Sequence, residues 1–106
     1  MYVVVREDLQ PSYQAPQGMH AAIQFQHEHS DVAKEWHDKS NYLVFLSTRD
    51  LNALDKLIYK ANCKDIKHSI FREPDIGNVI TAVAFEPSKA SSKLLSSLPL
   101  ALNNIN

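Results

Sequence analysis

Gln17 and His20 stand three residues apart in the stretch Gln14–Phe25, QAPQGMHAAIQF, which follows the first apolar run of the chain. Three residues is nearly one helical turn, so the spacing predicts an amide and an imidazole on one helix face. Pro16 fits only the first turn of a helix, where its missing N–H is no loss, so the helix is expected to start near Ala15. Polar side chains near the N-terminus of a helix that follows a strand sit where α/β folds place ligands, although a solvated face has the same pattern. Further on, Glu73 and Asp75 flank a turn-forming sequence, Pro74-Asp75-Ile76-Gly77-Asn78. Their carboxylates could take a proton from water, or could cap the turn. Thr81 puts a hydroxyl into an otherwise apolar strand, VITAVAF, and a buried hydroxyl needs a hydrogen-bond partner, which the neighbouring Glu73–Asp75 loop could supply.

Other chemistry finds little support. Only 2 glycines are present, so no phosphate-cradling glycine-rich loop and no nucleophile elbow can form. Cys63 is the single cysteine, which precludes an intrachain disulfide and reads as a buried, inert thiol near a helix end. His20, His27 and His29 have no zinc-site spacing, because 27 and 29 point to different helix faces, so neither metal nor cofactor is expected.

The elements that would carry these residues follow from the apolar pattern. Tyr2-Val3-Val4-Val5 and Tyr42-Leu43-Val44-Phe45-Leu46 are unbroken apolar runs, as expected of strands buried on both faces. The long helical stretch between them predicts a βαβ unit with parallel strands and a right-handed crossover. The first helix is expected to bury Ala15, Met19, Ala22, Ile23 and Gln26 along one stripe. Ser30 would cap a second helical piece through Trp36, and Ser47 would cap an amphipathic helix over residues 49–62. On that helix Lys56, Lys60 and Lys64 form a basic stripe, with Lys67 just beyond, which is a solvated face or a contact for a phosphate backbone. Residues 66–73 and 79–85 read as an antiparallel pair joined by the short turn. Ser88 would cap a final helix that Pro99 ends, and Leu98, Leu100 and Leu102 would pack across an open edge or a partner chain. The expectation is a single α/β domain over residues 1–106. It has a mixed four-stranded sheet in β-α-β-α-β-β-α order, with helices on both faces.

Composition bounds the function classes. The chain is 44% hydrophobic and 22% charged, ordinary for a globular domain. The net charge of −1 does not suit binding of nucleic acid by bulk electrostatics. Residues 1–53 carry 4 basic and 7 acidic side chains, and residues 54–106 carry 7 and 5, so any basic face lies in the second half. No apolar run has membrane-spanning length and no leader precedes the first strand, which reads as a cytoplasmic protein.

Val3-Val4-Val5-Arg6-x-Asp8-Leu9, then Gln17-x-x-His20-Ala21-Ala22, then Thr81-Ala-Val-Ala-Phe-Glu-Pro87 together resemble the type II peptidyl-tRNA hydrolases of archaea and eukaryotes. Gln17 to Ala22, the Trp36 segment, Ser40-Asn41, Phe71 to Asp75 and Leu98-Pro99-Leu100 resemble more closely a bacterial and phage branch of that family. The resemblance covers nearly the whole chain. It implies hydrolysis of the ester joining a peptide to the 3′-terminal ribose of tRNA, a homodimer, and site-face positions at Gln17, His20 and Thr81. Two positions depart from the family pattern. Tyr13 stands where the family has a lysine four residues before the glutamine, in a loop two residues shorter. Without gaps the family's aspartate falls on Ser69, so Glu73 or Asp75 would have to serve through a shift. If the ester is cleaved, a water oriented by Glu73 or Asp75 with Thr81 would attack, while Gln17 and Tyr13 donate to the oxyanion. The alternative is a catalytically silent module that binds RNA or protein on the same scaffold.

Overall fold

A computed structural model describes residues 1–103. Its elements are β1 (Tyr2–Arg6), α1 (Pro11–Glu28), α2 (Ser30–Lys39), β2 (Val44–Thr48), α3 (Leu51–Cys63), β3 (His68–Glu73), β4 (Val79–Phe85) and α4 (Lys89–Leu94). The four strands form one mixed sheet in the order β2-β1-β4-β3. β1 and β2 run parallel, and β4 lies antiparallel to both β1 and β3. The expected architecture therefore holds, and the helical stretch between β1 and β2 divides at His29 into α1 and the expected second piece, α2. Residues 104–106, which that reading includes in the domain, lie outside the described residues.

Alternate residues of β1 face opposite layers, as the two-residue period of a strand requires. Val4 joins Leu46, Leu54, Ile66, Val83, Phe85 and Leu95 in the core beneath α3 and α4. Val3 and Val5 join Ala21, Phe25, Ala33, Ala82 and Ala84 in the core beneath α1 and α2.

Several local expectations are corrected. α1 begins one turn early, with Pro11 rather than Pro16 in its first turn, and Pro16 lies inside the helix. The early start brings Gln14 into the helix, where its side-chain amide donates to the carbonyls of Glu7 (3.3 Å) and Leu9 (2.8 Å) and ties down the preceding loop. The buried stripe is Gln14, Gln17, Gly18, Ala21 and Phe25. Met19 and Ile23, expected inside, are exposed. The helix is rotated about its axis so that two glutamines face the sheet. Gly18 permits this approach, because a Cβ there would stand 2.6 Å from the Phe45 ring.

Tyr42 and Leu43 precede β2 and are exposed, and Cys63, expected to be buried, is exposed because it ends α3 on the solvent side. The backbone before α2 is capped by His29, without a side-chain bond, rather than by Ser30. Asp50, not Ser47, caps α3 by accepting from the Ala53 N–H at 2.9 Å, because Ser47 and Thr48 still belong to β2. Ser88 caps α4 as expected, accepting from Ser91 N–H at 3.1 Å. The tail then returns along the free edge of β2. Ser47 N–H donates to Pro99 O, Ala101 N–H donates to Phe45 O, and Leu100 pairs with Leu46. No described helix is long and apolar enough to cross a membrane.

Candidate active site

The site begins with an irregularity in β4. Phe71 of β3 faces Ala82, but Arg72 faces Ile80, so Thr81 is the extra residue of a bulge. Ile80 lies in the core under α3 whereas Ala82 lies in the core under α1. Two residues that a regular strand would point the same way thus face opposite layers, and Thr81 turns toward α1. The pairing of β1 with β4 ends at Val5 and Ala82. Beyond that point the Arg6 guanidinium takes over, donating to the Ile80 carbonyl at 3.0 Å. Asp8 grips the same guanidinium with both carboxylate oxygens, at 2.9 and 2.8 Å. The bond from Arg6 holds the Asp8 carboxyl below the usual carboxylate range, against the opposing effect of partial burial. The Arg6-x-Asp8 motif thereby fixes the carbonyl next to the bulge.

Thr81, fully buried, donates its hydroxyl to Gln17 Oε1 at 2.6 Å. Gln17 Nε2 in turn donates to Glu73 Oε1 at 2.9 Å. The polarity of this chain is set by its far end, since an ionised carboxylate only accepts. The amide nitrogen must face Glu73, and the threonine must then donate. Glu73 ends β3 and caps the short 3-10 turn at Pro74–Ile76, where its Oε2 accepts only a long bond of 3.4 Å from Asp75 N–H. Both readings of Glu73 are thus combined in one side chain: it caps the turn and reaches the site.

These groups line a cavity of about 160 Å³ with Leu9, Tyr13, Asp75 and Ile76. Tyr13 and Asp75 stand at its mouth and are exposed. His20 does not line the cavity. It lies outside on α1, stacked on Phe71 with ring centroids 4.6 Å apart and planes 13° from parallel. Lys56, Lys60, Lys64 and Lys67 are exposed. The three on α3 and just after it lie on the helix that packs on the sheet face opposite α1, so they are not gathered with the site. Ser69 is buried one strand-length upstream of Glu73, opposite Ala84. Among the described residues no three His, Cys, Asp or Glu side chains gather as metal ligands.

Arg6, Asp8, Leu9, Gln14 and Ile76 were not singled out as site residues. The signal available for two of them was the Arg-x-Asp spacing at the end of a strand. For Gln14 it was the i, i+3 relation to Gln17.

The chemical capacity follows from which hydrogen-bonding positions are used. Glu73 Oε2 has acceptor capacity left for a water proton. Gln17 has a second amide N–H beyond the one given to Glu73, and Thr81 Oγ1 has lone pairs beyond the proton it gives away. A carboxylate, an amide and a hydroxyl with these positions free thus line one small cavity. Against known families, the model of peptidyl-tRNA hydrolase PTH2 matches residues 1–100. No curated protein matches the chain.

Proposed function

The chain belongs to the peptidyl-tRNA hydrolase PTH2 family, and we propose that it cleaves the ester between a peptidyl group and the 3′-terminal ribose of tRNA. The observation that carries this reading is the hydrogen-bonded chain Thr81–Gln17–Glu73 in the cavity wall.

In the proposed reaction Glu73 accepts a proton from a water that also donates to Thr81 Oγ1, and the water oxygen attacks the ester carbonyl carbon. The carbonyl oxygen becomes an oxyanion, which accepts hydrogen bonds from the second N–H of Gln17 and from the Tyr13 hydroxyl. Such donors, already in place, supply the term that usually contributes most to acyl transfer. Collapse of the intermediate breaks the bond to the ribose oxygen, which takes the proton from Glu73. The products are a peptide acid and tRNA with a free hydroxyl. An ester expels a better leaving group than an amide, so a site without a lysine suffices. Asp75 at the cavity mouth orders the entering water, and His20 with Phe71 offers the RNA a flat stacking surface beside the site.

The exposed α1 stripe of Met19 and Ile23 also supports a homodimer. Met19, with Leu43 and Phe45, borders a cavity of about 170 Å³ lined only by apolar residues and glycine, and Ile23 is exposed one turn further along α1. A second copy would bury the same patch through a two-fold axis. The place of work is the cytoplasm, with the tRNA.

A single-turnover assay of purified protein on labelled N-acetyl-aminoacyl-tRNA tests the reading, with Glu73→Gln and Gln17→Ala alongside. Release by the wild type that both variants lose supports it; equal release by all three overturns it. One observation favours the silent module instead: Glu73 and Asp75 line the cavity with no basic side chain beside them. Retarded tRNA with no release would select that reading.

A further inference from the structure

Ion pairing divides the cations of the chain into two sets. Each of the 4 basic side chains in residues 1–53 has a carboxylate partner: Arg6 with Asp8, Lys34 with Asp38, Lys39 with Glu35, and Arg49 with Asp50. Among the described residues, none of the 7 in residues 54–106 has one. Lys56 and Lys60 lie on α3, Lys64 closes it, and Lys89 and Lys93 lie on α4, which packs beside α3 on the same sheet face. All of these lysines are exposed. The two helices and Lys64 carry a single carboxylate, Asp55, with Asp65 just beyond. Cations left without internal partners keep their field for a partner outside.

Lys56 and Lys60 stand four residues apart on the outer side of α3, a step of about 6 Å along the helix axis. Tyr59 lies beside them and is 70% exposed, the one large apolar side chain that α3 and α4 turn fully outward. An aromatic ring set among lysines offers a base a flat face while the lysines take the phosphates around it. A lipid surface would need a broad apolar stripe, and the apolar stripe of α3 is turned into the core through Leu54 and Ala61.

We propose that the α3–α4 face binds unpaired RNA, as a surface separate from the reacting cavity. That cavity is walled by α1, β4 and the turn after β3, whereas α3 and α4 cover the opposite face of the sheet. With the sheet between them, the RNA held here is a different stretch from the one whose 3′ end would enter the cavity. The cations that the cavity lacks stand on this face, and binding there needs no turnover.

The probe is a labelled, non-acylated single-stranded RNA of about 12 nucleotides, followed by fluorescence anisotropy over a range of salt. With three to five lysines engaged, log K is expected to fall against log salt with a slope of roughly −2 to −3.5. The double variant Lys56→Gln, Lys60→Gln is expected to weaken binding about tenfold at low salt and to reduce that slope by about 1.4. Tyr59→Ala is expected to weaken it at least about fivefold at an unchanged slope. Cys63, the single cysteine, is exposed four residues beyond Tyr59 on the same side of α3 and reports where the RNA sits. RNA is expected to slow its alkylation by a maleimide severalfold in the wild type and little in the lysine variant. The substituted side chains are exposed, so urea midpoints are expected to stay at the wild-type value. No binding by the wild type, equal binding by the variants, or alkylation indifferent to RNA overturns the surface. An equal loss of binding in Gln17→Ala also overturns it, by placing the RNA in the cavity. Displacement by polyglutamate at matched charge, with Tyr59→Ala silent, overturns it in favour of an acidic protein. The expected losses with no turnover of N-acetyl-aminoacyl-tRNA uphold the surface and overturn the hydrolase reading alone.

Discussion

The two faces of the sheet are built from different materials. Under α3 and α4 the core is built of large apolar side chains: Leu46, Leu54, Ile66, Val83, Phe85 and Leu95. Under α1 and α2 it is largely small, with Ala21, Ala33, Ala82 and Ala84, and it is there that Gln14, Gln17 and Thr81 are buried. Apolar burial contributes in proportion to area, so the first face supplies more stability per residue. Small residues let helix and sheet approach closely, so the second face can bring an amide on α1 to 2.6 Å from a strand hydroxyl. One side holds the fold and the other spends close packing on a polar chain.

The sharpest way to break this comparison is to strike each face and ask which property fails. Thr81→Val keeps the shape but removes the donor to Gln17. Single-turnover release is expected to fall about 10²–10³-fold, the scale for losing a preorganised polar group at such a site. The buried Gln17 oxygen left without a partner is expected to cost about 1–3 kcal/mol, read by urea denaturation. Leu54→Ala strikes the other face. It is expected to cost about 2–5 kcal/mol in the same denaturation, through lost burial and a cavity, while release per folded molecule stays at the wild-type value. Loss of turnover in Leu54→Ala without unfolding would erase the distinction between the faces.

Gly18 probes the close approach itself. An alanine in a helix is ordinarily favoured over glycine by about 1 kcal/mol. Here the added Cβ meets the Phe45 ring at 2.6 Å, so the ring or the helix must shift. Gly18→Ala is expected to be destabilising by about 1 kcal/mol net and to lower turnover, because Gln17 is the adjacent residue. Phe45→Leu in the same chain, by making room, is expected to restore turnover. If Gly18→Ala alone stabilises the protein with full activity, α1 does not depend on that contact.

The same contrast decides what was legible in the sequence. β-Branched and apolar runs announced β1, β2 and β4, because buried strands need no polar alternation to be recognised. α3 was legible too, since its apolar face packs where periodicity says it should. α1 misled because its buried stripe carries Gln14 and Gln17 while Met19 and Ile23 stay outside. A helix that buries a polar site inverts the signal by which buried faces are found. Of the pair on α1, Gln17 reaches the cavity and His20 does not: at i, i+3 they share a face but not a direction, which suffices to turn His20 outward onto Phe71. Thr81 was flagged as a buried hydroxyl, and its partner was sought in the neighbouring loop. Its actual partner is on α1, because the bulge that turns it appears only when β3 is laid against β4. The bond from Gln17 to Glu73 was out of reach for the same reason, since it needs β3 laid against β4 beneath α1.

The smallest expected effect concerns the Arg6–Asp8 pair, which borders both faces by holding Ile80 O beside the bulge. Asp8 is partly exposed, with 40% of its side chain accessible, so solvent screens the pair. Its contribution is expected at about 0.2–1 kcal/mol. The Asp8 carboxyl sits below its ordinary value of 3.8 in the folded protein, chiefly through the hydrogen bond from Arg6. The unfolded chain therefore binds the proton more readily than the folded one over that window. Stability from this group is fully present above the ordinary carboxylate value and is lost as pH falls through the lowered one. Asp8→Asn is expected to remove that increment at neutral pH and to flatten the acid side of the stability profile by the same amount. Arg6 keeps its bond to Ile80 O in this variant but loses one of the two bonds that aim it, since the new amide nitrogen cannot accept, so turnover is expected to drop only severalfold. An acid limb unchanged by Asp8→Asn would mean that the pair contributes nothing to the bulge, and that the β3–β4 register alone presents Thr81 to Gln17.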